Sequence, residues 1–215
     1  MKIFIHGLPD SGSSLLAFLL AQRENSVAVL DCYGLPASAL QHTSDVILKT
    51  TTNEIYSVEQ EKAAFGPDYS ILIQRNPFVN YQQLSKKSYK DERGQIQEKF
   101  RIFEDTYKKR RELFDSQIYY EELLMFPQKV IAALQSIGFQ LSYYAMKRPP
   151  KEIEDFAKKS WPWAKKHWMK SWAPGDLDSG KVSCKSLFHK IQQETRDKVI
   201  ELCPVAAAEY PYQYS

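Results

Sequence analysis

Between a short apolar run, Ile3 to Ile5, and a leucine-rich stretch beginning at Ser13 lies the octapeptide Gly7-Leu8-Pro9-Asp10-Ser11-Gly12-Ser13-Ser14. A strand, a glycine-containing loop and a helix in that order bring backbone N–H groups and the positive end of a helix dipole around one point, an arrangement that holds a phosphate-like anion. Gly7 and Gly12 stand five apart, as in G-x-x-x-x-G-K-[ST], but Ser13 takes the lysine position and Ser14 that of the magnesium-binding hydroxyl. The loop therefore offers no cation to a β- or γ-phosphate, which disfavours a conventional ATP or GTP phosphotransferase. A tight strand-to-helix turn capped by serine hydroxyls would use the same residue types. The place of the loop at the head of an alternating strand and helix pattern favours the anion site.

The elements that must position this loop are legible further along. VAVLD (27–31), DVILK (45–49) and YSILIQ (69–74) are short apolar runs bounded by polar, Gly or Pro residues, and read as buried strands. Helical stretches separate them: Ser13 to Arg23, with serines as expected caps, and Ser57 to Phe65. The alternation predicts an α/β fold, a three-layer sandwich with a central parallel sheet. Beyond residue 90, Ile96, Phe100, Phe103, Tyr107 and Phe114 form an apolar face, QIYY (117–120) reads as a strand, and a helix from Pro127 buries Val130, Ile131, Leu134 and Ile137 before stopping at Gly138. A last helix is marked by Phe188, Ile191, Val199 and Leu202. One domain is expected over residues 1–215, with an α/β core to about 140 and a helical lid or acceptor segment from about 147.

With 43% hydrophobic and 26% charged residues, the 215-residue chain is globular, not disordered or collagen-like. The charge sum, 29 − 26 = +3, is too small to argue for nucleic acid as a partner. Cys32, Cys184 and Cys203 have neither zinc-ligand nor disulfide-framework spacing, which fits a reducing cytoplasm. No run approaches the ~20 apolar residues of a membrane span, so a cytoplasmic protein without its own anchor is expected.

Gly7 to Ser14, Asp45 to Thr52, Ile71 to Leu84 and Tyr119 to Phe139, in that order along the chain, together resemble the sulfotransferase family. Its 5′-phosphosulfate loop, P-[KR]-S-G-[ST]-[ST] after the first strand, is matched by Pro9, Ser11, Gly12, Ser13 and Ser14, with Asp10 at the basic position. Its 3′-phosphate motif, a strand ending in R-[DN]-P, is matched by Arg75, Asn76 and Pro77, while Gln83 stands where the family has a serine and Ser85 lies two residues on. DVILKTTT is similar to the K-T-H strand of small-molecule sulfotransferases, with Lys49 and Thr50 in place and Thr51 at the histidine position. Residues 119–139, beginning Tyr119-Tyr120-Glu121-Glu122-Leu123, look like the family's Y-E-[DE]-L segment, whose contribution is structural.

The resemblance implies a P-loop NTPase-like fold. It also implies transfer of a sulfuryl group from 3′-phosphoadenosine-5′-phosphosulfate to a hydroxyl or amine by in-line displacement, leaving 3′,5′-adenosine bisphosphate and needing no metal. Pro9, Asp10 and Ser11 to Ser14 would line the 5′-phosphosulfate, and Arg75 would grip the 3′-phosphate through charge-assisted bonds of ~1.5–3 kcal/mol. Lys49 would sit by the bridging oxygen, and Lys181, in a glycine-containing loop (175–183), would add a cation over the 3′-phosphate. A surface ion pair for Arg75 and a snorkelling stem for Lys49 are the plainer alternatives.

In-line transfer needs a base for the acceptor proton. Asp31, at the end of the second strand, resembles the acidic residue of protein-tyrosine and glycosaminoglycan sulfotransferases and is the first candidate; capping the turn after it is its other role. Glu54 and His42 follow, and His6 is expected to be buried beside the loop. Trp161, Trp163, Trp168 and Trp172, interleaved with lysines, read as a nucleotide lid, an acceptor wall, an interfacial membrane helix or a packed helix with solvated lysines. The acceptor is expected to be a small molecule, a saccharide or a peptide. Two other readings stay open: a degenerate P-loop nucleotide or nucleoside kinase, and a nucleotide-binding protein whose departures at Asp10, Thr51 and Gln83 have removed the chemistry.

Overall fold

Residues 2–6, KIFIH, form the central strand β1 because their alternating side chains face two separate cores. Ile3 and Ile5 point to one side, Phe4 to the other. The chain is described here by a computed structural model over residues 1–21, 26–33, 45–141 and 190–212. Around β1 lie β2 (Ser26–Leu30), β3 (Asp45–Lys49), β4 (Tyr69–Gln74) and β5 (Ser116–Tyr119), in the order β2-β3-β1-β4-β5. All neighbours are parallel, with Ile5 level with Lys49 and Ile71, Leu30 with Lys49, and Gln74 with Tyr119. The sheet is buried on both faces, which explains why its strands read as continuous apolar runs.

One face is covered by α1 (Ser13–Leu20), α6 (Tyr120–Met125) and α7 (Pro127–Ser136), through Leu15, Leu16, Leu19, Leu123, Val130 and Leu134. The other is covered by α2 (Val58–Phe65), α3 (Pro77–Leu84), α4 (Ile96–Lys108) and two later helices, α8 (Gln193–Leu202) and α9 (Pro204–Ala208). A short turn of helix, α5 (Arg110–Leu113), leads from α4 toward β5. The predicted α/β sandwich with a central parallel sheet is therefore the observed one. The apolar face of α4 is as expected for Ile96, Phe100, Phe103 and Tyr107, whereas Phe114 lies past α5 on extended backbone; Gly138 ends the α7 segment at φ 73°.

Some expectations need correction. The serine hydroxyls do not cap α1: Gly12 is its N-cap at φ 89°, and no side-chain bond closes the first turn. The helix stops at Leu20, three residues short of Arg23. Tyr120 opens α6 instead of ending β5, and Ile131 is only half buried. A separate helix after Pro204 was not foreseen, because Pro at a first helical position ends one helix and begins the next. The tryptophan segment, Lys181, His42, Phe188 and Cys184 lie outside the described residues. Among the described residues no helix is long and apolar enough to cross a membrane.

Candidate functional site

Parallel pairing brings the carboxyl ends of all five strands to one edge, and β1 is where the order reverses, its two neighbours being β3 and β4. Gly7 to Gly12, Asp31, Thr50 to Asn53, Arg75 and Tyr120 all follow those ends.

The loop after β1 has no room to spare. A Cβ on Gly7 would fall 2.3 Å from the Ile73 carbonyl oxygen, and one on Gly12 would fall 2.3 Å from the Tyr120 ring. Gly12 also has the left-handed backbone that disfavours any side chain. The backbone turns tightly through Ser11 N–H to Leu8 C=O at 3.2 Å. Asn80 of α3 supports it from behind, donating Nδ2 to the Pro9 carbonyl at 3.1 Å. Three buried side-chain atoms among the described residues have no hydrogen-bond partner: Ser11 Oγ, Arg75 Nε and Asn80 Oδ1. All three surround this loop, and buried polar atoms are ordinarily paired. Together with uncapped first-turn N–H groups at α1, they fit a polar ligand.

Arg75 lies against the loop. Its Nη1 donates to Asp10 Oδ2 at 3.1 Å and to the Asp10 carbonyl at 3.2 Å, and its guanidinium rests over the Tyr120 ring at 4.8 Å. The two anion-binding segments expected from sequence therefore form one place, joined by the residue that departs from the family pattern. Lys49 is paired in the same manner, its Nζ donating to Asp31 Oδ1 at 2.8 Å and Oδ2 at 2.9 Å. In both pairs the cation is the buried member and the carboxylate the accessible one. Side-chain exposure is 7% for Arg75 against 23% for Asp10, and 6% for Lys49 against 37% for Asp31.

Asp31 holds a left-handed backbone, φ 53°, while its N–H extends the ladder to the Lys49 carbonyl at 2.8 Å. Beside it, the Tyr33 hydroxyl donates to Asp31 Oδ1 at 3.4 Å and shares a 2.8 Å hydrogen bond with Thr51 Oγ1. Burial pushes the Tyr33 phenol up, and the Asp31 carboxylate adds to the effect. Arg93 stacks over the Tyr33 ring at 4.1 Å. Tyr89 belongs to the same site: burial, then the Asp10 charge, with Asp31 adding and Arg75 opposing, pushes its phenol up to about 12. Tyr33, Tyr89 and Arg93 were missed in the sequence. Tyr33 had one signal, its place two residues after Asp31; the segment carrying Tyr89 and Arg93 has no periodicity that aims it.

Other sequence candidates point elsewhere. Glu54 is exposed and accepts the Gln95 N–H at 2.7 Å, so it holds the start of α4. His6 is buried as expected, its Nδ1 3.0 Å from Thr50 Oγ1 and its Nε2 3.2 Å from Thr52 Oγ1. Glu61 completes that cluster by accepting from Thr50 Oγ1 at 2.6 Å. Thr52 N–H in turn bonds the Gly7 carbonyl at 3.0 Å, so the cluster braces the loop from below. Ser85 spends its hydroxyl on the Gln82 carbonyl at 3.0 Å.

The R-N-P turn is held firmly. Asn76 Oδ1 caps α3 through Phe78 N–H at 3.0 Å and Val79 N–H at 3.2 Å. Its own N–H donates to Glu121 Oε1 at 3.3 Å, and the Tyr210 hydroxyl donates to the other Glu121 oxygen. Glu122 accepts the Tyr119 N–H at 3.1 Å. Both glutamates therefore serve the frame of the site.

Neither a family model nor a curated protein sequence matches the chain. Among solved structures, it is similar to mouse sulfotransferase SULT7A1 complexed with PAP, at 14% identity over 94% of this chain and 81% of that one, TM-score 0.49. It is also similar to a sulfotransferase from Alicyclobacillus acidocaldarius, at 13% identity over 90% of this chain and 98% of that one, TM-score 0.45. Both of those proteins are sulfotransferases.

Proposed function

We propose that this protein binds 3′-phosphoadenosine-5′-phosphosulfate along the carboxyl edge of its sheet and transfers the sulfuryl group to a hydroxyl or amine acceptor. The observation that carries the reading is the cradle from Gly7 to Gly12: two glycines without room for a side chain, and unpartnered Ser11 and Arg75 atoms at one place. When bound, the nucleotide supplies the sulfuryl group and takes away the electrons of the broken S–O bond. Ser11 to Ser14 and the first-turn N–H groups of α1 would hold the 5′ end, with Pro9 and Asp10 shaping the loop. Arg75 would hold the 3′-phosphate. Lys49, fixed by Asp31, brings positive charge to the β3 end, where it would lie by the bridging oxygen. Asp31, the accessible partner, would receive the acceptor proton. Lys181 would add a further cation over the 3′-phosphate, and a small molecule, a saccharide or a peptide would serve as acceptor.

A second reading, nucleotide binding without turnover, is favoured by one observation: both cations are already engaged by carboxylates. Label from the phosphosulfate donor appearing in an acceptor separates the two. The primary test is thermal shift against 3′,5′-adenosine bisphosphate, ATP and GTP. A ligand at ~100 times its Kd stabilises by about 2.7 kcal/mol, or roughly 5–10 °C for a chain of this size. The expected result is a shift with the bisphosphate that Arg75→Ala removes. Because Arg75 also bonds the loop, its variant melts lower without ligand, so the ligand-induced difference is the quantity to read. A shift with ATP or GTP alone would instead support a degenerate kinase.

A further inference from the structure

Asp10 stands where an anion would stand. Its carboxylate Oδ2 and its carbonyl oxygen both accept from Arg75 Nη1, at 3.1 and 3.2 Å. The Arg75 guanidinium is nearly fully buried, packed on the Tyr120 ring, and its Nε remains without a partner. The Asp10 side chain, by contrast, keeps an open side toward solvent and stands on a left-handed backbone, φ 66°. A buried cation is thus covered by one detachable carboxylate.

We infer that Asp10 is an internal competitor for the anion site, its carboxylate occupying Arg75 until an incoming phosphate group takes its place. The inference rests on the reading of this edge as a nucleotide site and concerns how that site is filled. Exchange replaces one charge-assisted pair by another, so the ligand gains only the difference between them, and apparent affinity falls by the cost of releasing Asp10. The design is selective. An anion with a single charge gains little over the resident carboxylate, whereas a phosphate dianion presents more charge and more acceptor oxygens to the same fork. Asp31 on Lys49 follows the same pattern at the neighbouring strand end, with both carboxylate oxygens engaged. Besides its burial, the Tyr89 phenol feels the charges of Asp10 and Asp31, which raise its pKa, and that of Arg75, which opposes them.

The test is calorimetric titration of 3′,5′-adenosine bisphosphate into the wild type, Asp10→Asn, Arg75→Ala and the double variant. Asparagine tolerates the left-handed backbone and keeps the side-chain shape; Asp10→Gly, which adopts that backbone without strain, is the second variant if Asp10→Asn does not fold. The expected result is binding at least about tenfold tighter in Asp10→Asn than in the wild type, equal to about 1.4 kcal/mol, with no gain from the same change in the Arg75→Ala background. Binding by Asp10→Asn alone would support the inference still more directly. Equal or weaker binding by Asp10→Asn, with the wild type binding, overturns the competition while leaving the nucleotide site in place. An equal gain in the Arg75→Ala background also overturns it, since Asp10 would then act by general repulsion. No binding by any of these proteins overturns the nucleotide reading, and the inference with it.

Discussion

Glu121 is the residue whose ionisation bears most directly on the frame of the site. Burial pushes its carboxyl from the ordinary 4.5 up to about 7, against the lowering effect of the Asn76 N–H and of the Arg75 charge. The folded protein thus holds this proton more tightly than the unfolded chain does. Its contribution to stability is full below about 4.5 and is lost as the pH rises through about 7. Between those values the melting temperature of the wild type should fall with pH by a component that Glu121→Gln lacks, measured as thermal melts across the interval. Parallel curves for the two proteins would assign the slope to other groups. Because Glu121 bonds the Asn76 N–H next to Arg75, the same titration bears on the turn that carries Arg75.

At the scale of elements, the connection from α3 to α4 decides what faces the carboxyl edge of the sheet. It carries Tyr89 and Arg93, yet it has no core of its own; it is pinned by buried Lys99 of α4, which donates Nζ to the carbonyls of Lys90 and Glu92. Burial lowers the Lys99 ammonium from its ordinary value, a cost those two carbonyls offset. Asp91, bonding the Ile96 N–H at 3.0 Å, and Glu54, bonding the Gln95 N–H, close the other end. Lys99→Met keeps the apolar stem but removes the donors. It should speed tryptic cleavage between residues 85 and 95 while costing about 1–3 kcal/mol of global stability. An unchanged cleavage rate would mean that Asp91 and Glu54 suffice to hold the connection.

Across the whole molecule, residues 190–212 return to the core and tie its parts together. Gln82 of α3 donates to the Lys190 carbonyl at 3.1 Å and accepts the Gln192 N–H at 3.0 Å. Gln74 at the end of β4 donates to the Ala206 carbonyl at 3.1 Å. Glu104 of α4, almost wholly buried, accepts the N–H groups of Val205 and Ala206, both at 3.1 Å, and so caps α9. These bonds cross about a hundred residues of chain, so α8 and α9 are expected to unfold with the core as one cooperative unit. Glu104→Ala leaves the two N–H groups without that partner and should cost about 1–3 kcal/mol, roughly 2–4 °C per kcal/mol, as a single lowered transition in calorimetry. A separate early transition would show that α8 and α9 melt on their own.

The central strands, the amphipathic face of α4, the stop at Gly138 and the glycine loop after β1 were legible in the sequence, because periodicity, turn residues and glycine act within a few positions of themselves. Arg75 and Lys49 were legible as residues at strand ends, but their partners were not. Asp10 and Arg75 lie 65 positions apart, Asp31 and Lys49 18. Strand order alone puts β4 beside β1, and register alone sets Leu30 level with Lys49 so that Asp31 follows beside it. Coulombic interaction depends on separation in space, and no local pattern carries that separation. Residue types by themselves therefore specified a parallel α/β sandwich with a glycine loop after its first strand, whereas only the assembled sheet decided that Arg75 and Lys49 are each covered by a carboxylate.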